Sequence, residues 1–134
     1  MNDLHETIHR IVTLGSVTPE GIGRATGVSL SKKKENPSAV FYGGGPAGAI
    51  EDVHLALSKT DLTWHVAWTY DANRMPSEGD LDLGRYGARV TTNINPRIPP
   101  EGTFSHVYDY MGFRLFIQFN TRSRRLRGAA LHKL

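Results

Sequence analysis

A chain of 134 residues, 39% hydrophobic and 22% charged, fits one folded domain, residues 1–134. It is long enough to bury a core and too short for a core plus a separate substrate domain. The absence of cysteine excludes disulfides, thiolate metal sites and cysteine nucleophiles, so stability has to come from packing. The net charge of +3 is modest and unevenly placed, with Lys32-Lys33-Lys34 in one cluster and Arg122, Arg124, Arg125 and Arg127 in another. Such clusters meet phosphate or an acidic protein surface, or guard a solvated loop or edge strand.

Residues Met1 to Glu6 carry acidic groups where a secretory signal has a basic region, and no run approaches the ~18 apolar residues of a membrane span. A cytoplasmic protein without membrane association is expected. From Asp3 to Leu14, Leu4, Ile8, Ile11 and Val12 form the stripe of an amphipathic helix, capped by Asn2 or Asp3 and stopped by Gly15. Thr18-Pro19-Glu20 reads as a cap with proline in the first turn, opening a second short helix that ends near Gly27.

Beyond Val28 the period changes. Val28-Ser29-Leu30 and Ala39–Tyr42 read as strands flanking a polar turn, Lys32 to Pro37, and the run Gly43-Gly44-Gly45 ends the second. Val53, Leu55 and Leu57 alternate with polar or small residues, as do Leu62, Trp64, Val66, Trp68 and Tyr70 after a turn at Lys59 to Asp61. This pair is expected at the centre of an antiparallel sheet. Pro76 to Asp80 reads as the start of a one- or two-turn helix ending before Gly87, and the proline-rich Asn93 to Gly102 as a loop. Phe104–Tyr110, the turn Met111-Gly112, Phe113–Phe119 and a strand around Arg125 to Leu131 complete the pattern. Phe116 is apolar on the face opposite Leu115 and Ile117, so a helix or a partner is expected to cover that face too. The predicted class is α+β, with N-terminal helices packed on a mainly antiparallel sheet.

Three short motifs carry possible chemistry. Ala39 to Ala49 resembles the dinucleotide fingerprint of flavoprotein oxidoreductases, with Gly43, Gly45 and Gly48 in the G-x-G-x-x-G positions and Asp71 near the place of the ribose-binding acid. Too few residues follow Asp71 to complete a parallel sheet, so a glycine-rich loop between antiparallel strands is the expected structure, with no cofactor. His5-Glu6-Thr7-Ile8-His9 matches the zinc-protease motif over five residues, with His54, His65 or His106 as conceivable third ligands. On a chain-terminal helix the expectation is two exposed histidines and no metal. Val17 to Ser29 is similar to a bacterial helix-turn-helix, with Ser29 to Glu35 as its recognition helix. Gly21, Gly23 and Pro37 weaken that reading, so nucleic acid is not the expected partner. No nucleophile-elbow context surrounds any hydroxyl or histidine.

In size, lack of cysteine and layout, the chain resembles the small immunity proteins of bacterial toxin-delivery systems. That resemblance implies a non-enzymatic binding module, a monomer or small homo-oligomer, that occludes a cognate toxin domain. The residues expected to bind it are Arg122, Arg124, Arg125 and Arg127 with Tyr108 and Tyr110, arginine and tyrosine being the usual anchors of such interfaces. The alternatives are a dinucleotide- or flavin-binding enzyme using the Gly43–Gly48 loop and a small DNA-binding protein.

Overall fold

In the computed structural model, which describes residues 4–61, 63–95 and 102–133, two helices precede eight strands. Helix α1 (Leu4–Val12) buries Leu4, Ile8, Ile11 and Val12, the stripe read from the sequence. Helix α2 (Pro19–Thr26) is capped by Thr18, whose side chain accepts from the Gly21 amide at 3.0 Å. It ends at Gly27, where φ is 79° and the amide donates to the Gly23 carbonyl, the left-handed stop that glycine adopts without strain. The expected caps of α1, Asn2 and Asp3, lie outside the described residues.

The strands are β1 (Ser31–Glu35), β2 (Ala39–Gly44), β3 (Ile50–Ser58), β4 (Trp64–Tyr70), β5 (Arg89–Asn95), β6 (Thr103–Tyr110), β7 (Phe113–Asn120) and β8 (Leu126–Lys133). They form one sheet in the order β1-β2-β3-β4-β8-β7-β6-β5, with every neighbouring pair antiparallel. Two meanders therefore run inward from opposite edges and meet at β4 and β8. Met111 and Gly112, with φ of 52° and 84°, make the tight hairpin turn between β6 and β7, whose twist requires positive φ at both positions.

Register decides which side chains share a face. Leu55, Val66, Leu131, Leu115 and Tyr108 lie in one cross-strand row, and all are buried. Val53, Trp68, Ile117 and Phe119 extend this face, and Leu4, Ile8, Ile11 and Ile22 of the helices join them in one core. Burial of so many large side chains, each worth roughly 1.5–3 kcal/mol, holds the helices to the sheet. Trp68 Nε1 donates to the Tyr70 hydroxyl at 2.9 Å within this core, so the indole is buried without an orphaned donor. The β4–β5 connection covers the β6 end of the same face and inserts Met75 and Tyr86 into the core.

The fold class is as the sequence predicts, α+β with helices before an antiparallel sheet. Three local expectations are corrected. Strand β1 runs through the lysines, Ser31–Glu35, instead of Val28–Leu30. As an edge strand it is exposed at all five positions, so no buried face imposes an apolar alternation. Strand β5 extends to Asn95, so Asn93 to Asn95 belong to the sheet and not to a loop; residues 96–101 lie outside the described residues. The segment after Pro76 forms two 3-10 turns, Glu78–Asp80 and Leu83–Tyr86, because pieces this short and glycine-bearing do not sustain an α-helical nucleus. Leu62, expected to open β4, lies outside the described residues.

Candidate functional site

The helices and the β4–β5 connection pack on one face of the sheet, and no other described element covers the centre of the opposite face. There the register aligns Ala67 with Ala130 and Phe116, and His65 with His132 and Arg114. The next row holds Thr69, Gly128 and Gln118. Small side chains on the two central strands, flanked by Phe116 and the two histidines, leave a hollow of about 310 Å³ lined by His65, Ala67, Phe116, Gln118, Ala130 and His132. The His65 and His132 rings lie 4.0 Å apart between centroids, and Phe116 meets His132 edge-on at 5.3 Å.

This hollow is uncharged at neutral pH. Burial, reinforced by His132 and His54, lowers the pKa of His65 to about 4. Burial and the Arg114 guanidinium lower that of His132. His65 Nδ1 is buried and has no hydrogen-bond partner, which costs free energy until something supplies one. Charge sits on the rim. Arg114 Nε donates to Asp109 Oδ1 at 2.8 Å, Asp52 accepts from Thr69 Oγ1 at 2.8 Å, and the Lys34 ammonium lies 5.9 Å from the Phe41 ring centre at the β1–β2 end. The hollow is thus neutral and partly apolar, with a mixed polar rim. Its volume is at the small end for metabolite pockets.

The arginines expected to bind a partner cluster at the β7–β8 turn and make internal bonds. Arg124 Nε donates to Glu78 Oε1 at 3.2 Å while its guanidinium lies 4.9 Å from the Phe104 ring centre. Arg125 Nη1 donates to the Met75 carbonyl at 3.1 Å. Arg127 Nη1 bridges Glu51 Oε1 and the Tyr70 carbonyl, each at 2.6 Å. Arg122, Arg124 and Arg125 are exposed and Arg127 is half-buried. Tyr108 is only 3% exposed and packs with Tyr86 beneath the β4–β5 connection, so it presents no contact surface. Tyr110 is half-buried edge-on against Tyr86.

The glycine loop does not have the strand–turn–helix form of a dinucleotide site. Gly48 leads into strand β3, which pairs antiparallel with β2, and Asp71 caps a 3-10 turn by accepting from the Asn73 amide. A Cβ at Gly44 would lie 2.0 Å from the Ser29 carbonyl oxygen, and one at Gly45 would lie 2.6 Å from that of Glu51. Close packing therefore explains Gly44 and Gly45, and a left-handed backbone explains Gly48. In the zinc-like motif, His5 Nδ1 is hydrogen-bonded to the Tyr86 hydroxyl and Glu6 is paired with Arg10. His54 and His65 lie on the other side of the sheet from α1, and no group of three metal-ligating side chains occurs among the described residues. The would-be recognition helix is strand β1. Among the described residues no helix is long and apolar enough to cross a membrane.

One arrangement has no counterpart in the sequence reading. Thr92 Oγ1 lies 3.1 Å from His106 Nδ1, and His106 Nε2 is hydrogen-bonded to Glu78 Oε2. Hydroxyl, imidazole and carboxylate are thus in line, as in a nucleophilic triad. His106 is 3% exposed, however, and Glu78 is also held by Arg124. The network ties β5, β6, the β4–β5 connection and the β7–β8 turn together, satisfying an imidazole that burial would otherwise orphan.

The residues of the hollow lie far apart in the sequence. His65, Ala67, Ala130 and His132 meet only through the β4–β8 pairing, which joins the two halves of the chain. Phe116 alone announced the face. Compared with protein-family models, curated proteins and solved structures, the chain gives no significant match to any of them.

Proposed function

We propose that this chain is a non-enzymatic protein-binding module, an immunity protein that docks a cognate toxin domain on the open face of its sheet. The observation that supports it most is the bare hollow around Phe116, where an aromatic ring, two alanines and two neutral imidazoles are left uncovered at the centre of the sheet. An apolar or aromatic side chain of the toxin domain fills the hollow against Phe116 and the two alanines. Water leaves the small side chains at the same time. The exposed Arg122, Arg124 and Arg125 steer an acidic surface toward the protein, in keeping with the net charge of +3.

The test is protection. Each protein encoded beside this gene is expressed in a host with and without the chain, and growth is scored. The proposal expects one neighbour to arrest growth, the chain to restore it, and Phe116→Asp to lose the protection while remaining folded. Protection by Phe116→Asp equal to that of the unaltered chain overturns the open-face assignment. The absence of any neighbour against which the chain protects counts against the immunity reading itself.

A further inference from the structure

The two edges of the sheet differ in a way that assigns them different fates. Strand β1 carries Lys32, Lys33 and Lys34 in succession, and a row of ammonium groups on a free edge repels a second strand. Strand β5, at the other edge, carries no charge from Val90 to Ile94. Its Val90 is 50% exposed and Ile94 73% exposed, and Met111 is the remaining large hydrophobic exposed among the described residues. Both edges contain a bulge, between Lys32 and Lys34 and between Arg89 and Thr91, so irregular backbone does not distinguish them. Charge and exposed apolar surface do.

We propose that β5 is the contact between two copies of this chain, paired antiparallel about a two-fold axis at Thr92. The strand is self-complementary about that residue. Thr92 of one copy falls opposite itself and Thr91 opposite Asn93, which brings Val90, in the bulge, beside the Ile94 of the other copy, and no like charges oppose one another. Thr92 and Ile94 stand on the helix-bearing side of the sheet, because they pair with His106 and Phe104, and Val90 is the extra residue of the bulge between Arg89 and Thr91. The pairing joins two eight-stranded sheets into one continuous sheet with both open faces free. Pairing of β5 with β1 of another copy would instead propagate without closing, and the lysines block it. A single strand edge is a small interface, so the association is reversible.

The inference does not depend on the immunity reading. Its test uses the full chain, in which no native cysteine interferes. Sedimentation velocity from ~5 to ~200 µM should show a monomer passing into a dimer, as a small interface requires. Ile94→Lys, an exposed position, should hold the chain monomeric throughout with unchanged circular dichroism, and Phe116→Asp should leave dimerisation as it is. Thr92→Cys should form an intermolecular disulfide under mild oxidation, because facing residues of an antiparallel pair lie within disulfide reach, whereas Lys33→Cys should remain uncrosslinked. A monomer at every concentration overturns the proposal. So does an Ile94→Lys chain that dimerises like the unaltered protein, or cross-linking through position 33 in place of 92.

Discussion

His65 and His132 face each other across the β4–β8 pair, their ring centroids 4.0 Å apart, and burial lowers the pKa of both. In the unfolded chain these imidazoles take up protons near 6.5, whereas folded His65 resists protonation until about pH 4. The unfolded state therefore binds more protons in that window, and stability falls as pH falls from 6.5 toward 4. His65 is only partly buried, so the contribution is reduced by solvent to about 1–2 kcal/mol. Urea unfolding at pH 7.5 and pH 5 should show that loss in the unaltered chain and a smaller one in His65→Gln. Equal losses in the two chains contradict the assignment.

Glu78 titrates in a lower window. Burial pulls its pKa up, but hydrogen bonds from His106 and Arg124 outweigh this and leave the carboxyl below its ordinary 4.5. Its stabilising effect is present above pH 4.5 and is lost as pH falls through the lowered folded value. Glu78→Gln should cost ~1–2 kcal/mol at neutral pH, since His106 loses a charged partner, and should flatten the acid limb below pH 4.5 while leaving the limb above it intact.

Arg127 and Arg114 make ion pairs of similar length with different consequences. Arg114 is paired with Asp109 at 2.8 Å, both side chains substantially exposed, so Arg114→Ala should change stability by less than about 1 kcal/mol. Arg127 is less exposed and also donates to the Tyr70 carbonyl. Arg127→Ala leaves that carbonyl without its guanidinium and should cost ~1–3 kcal/mol. Thermal unfolding of the two variants side by side measures the difference.

Glycine substitutions separate packing from conformation in the loop that resembles a dinucleotide motif. At Gly44 an added Cβ would overlap the Ser29 carbonyl, so Gly44→Ala should cost ~1–3 kcal/mol or prevent folding. Gly48 has open space around it but a φ of 58°; Gly48→Ala should cost about 1 kcal/mol, the conformational penalty alone. Calorimetry giving equal losses at both sites would falsify the packing explanation.

The sequence was legible wherever one side of an element faces the core. The α1 stripe, the Thr18 cap, the Gly27 stop and the alternations in β3, β4, β6 and β7 all follow from burial on one side. It was not legible at the edges. Lys32 to Glu35 and Thr91 to Asn95 form strands because a neighbour supplies hydrogen bonds, and that leaves no apolar period behind. The candidate site was legible only in Phe116. Alanines and histidines become a surface when β4 and β8 pair, and no local pattern encodes a contact between Ala67 and Ala130. The arginine cluster, conspicuous in composition, makes internal ties at Met75, Tyr70 and Glu78. Tyr108 was expected at an interface but its strand position turns it inward, opposite Leu115.

The measurement that bears most directly on the open-face account is the affinity of the proposed toxin partner, once the protection screen has found it, for two variants compared with the unaltered chain, by isothermal titration. Ala67→Arg places a long cation in the floor of the hollow, and Arg24→Glu reverses a charge on exposed α2, on the other side of the sheet. The account predicts at least ~100-fold weaker binding for Ala67→Arg, about 2.7 kcal/mol, and little change for Arg24→Glu. Undiminished binding by a folded Ala67→Arg chain, with loss in Arg24→Glu, would place the partner on the helices and contradict it.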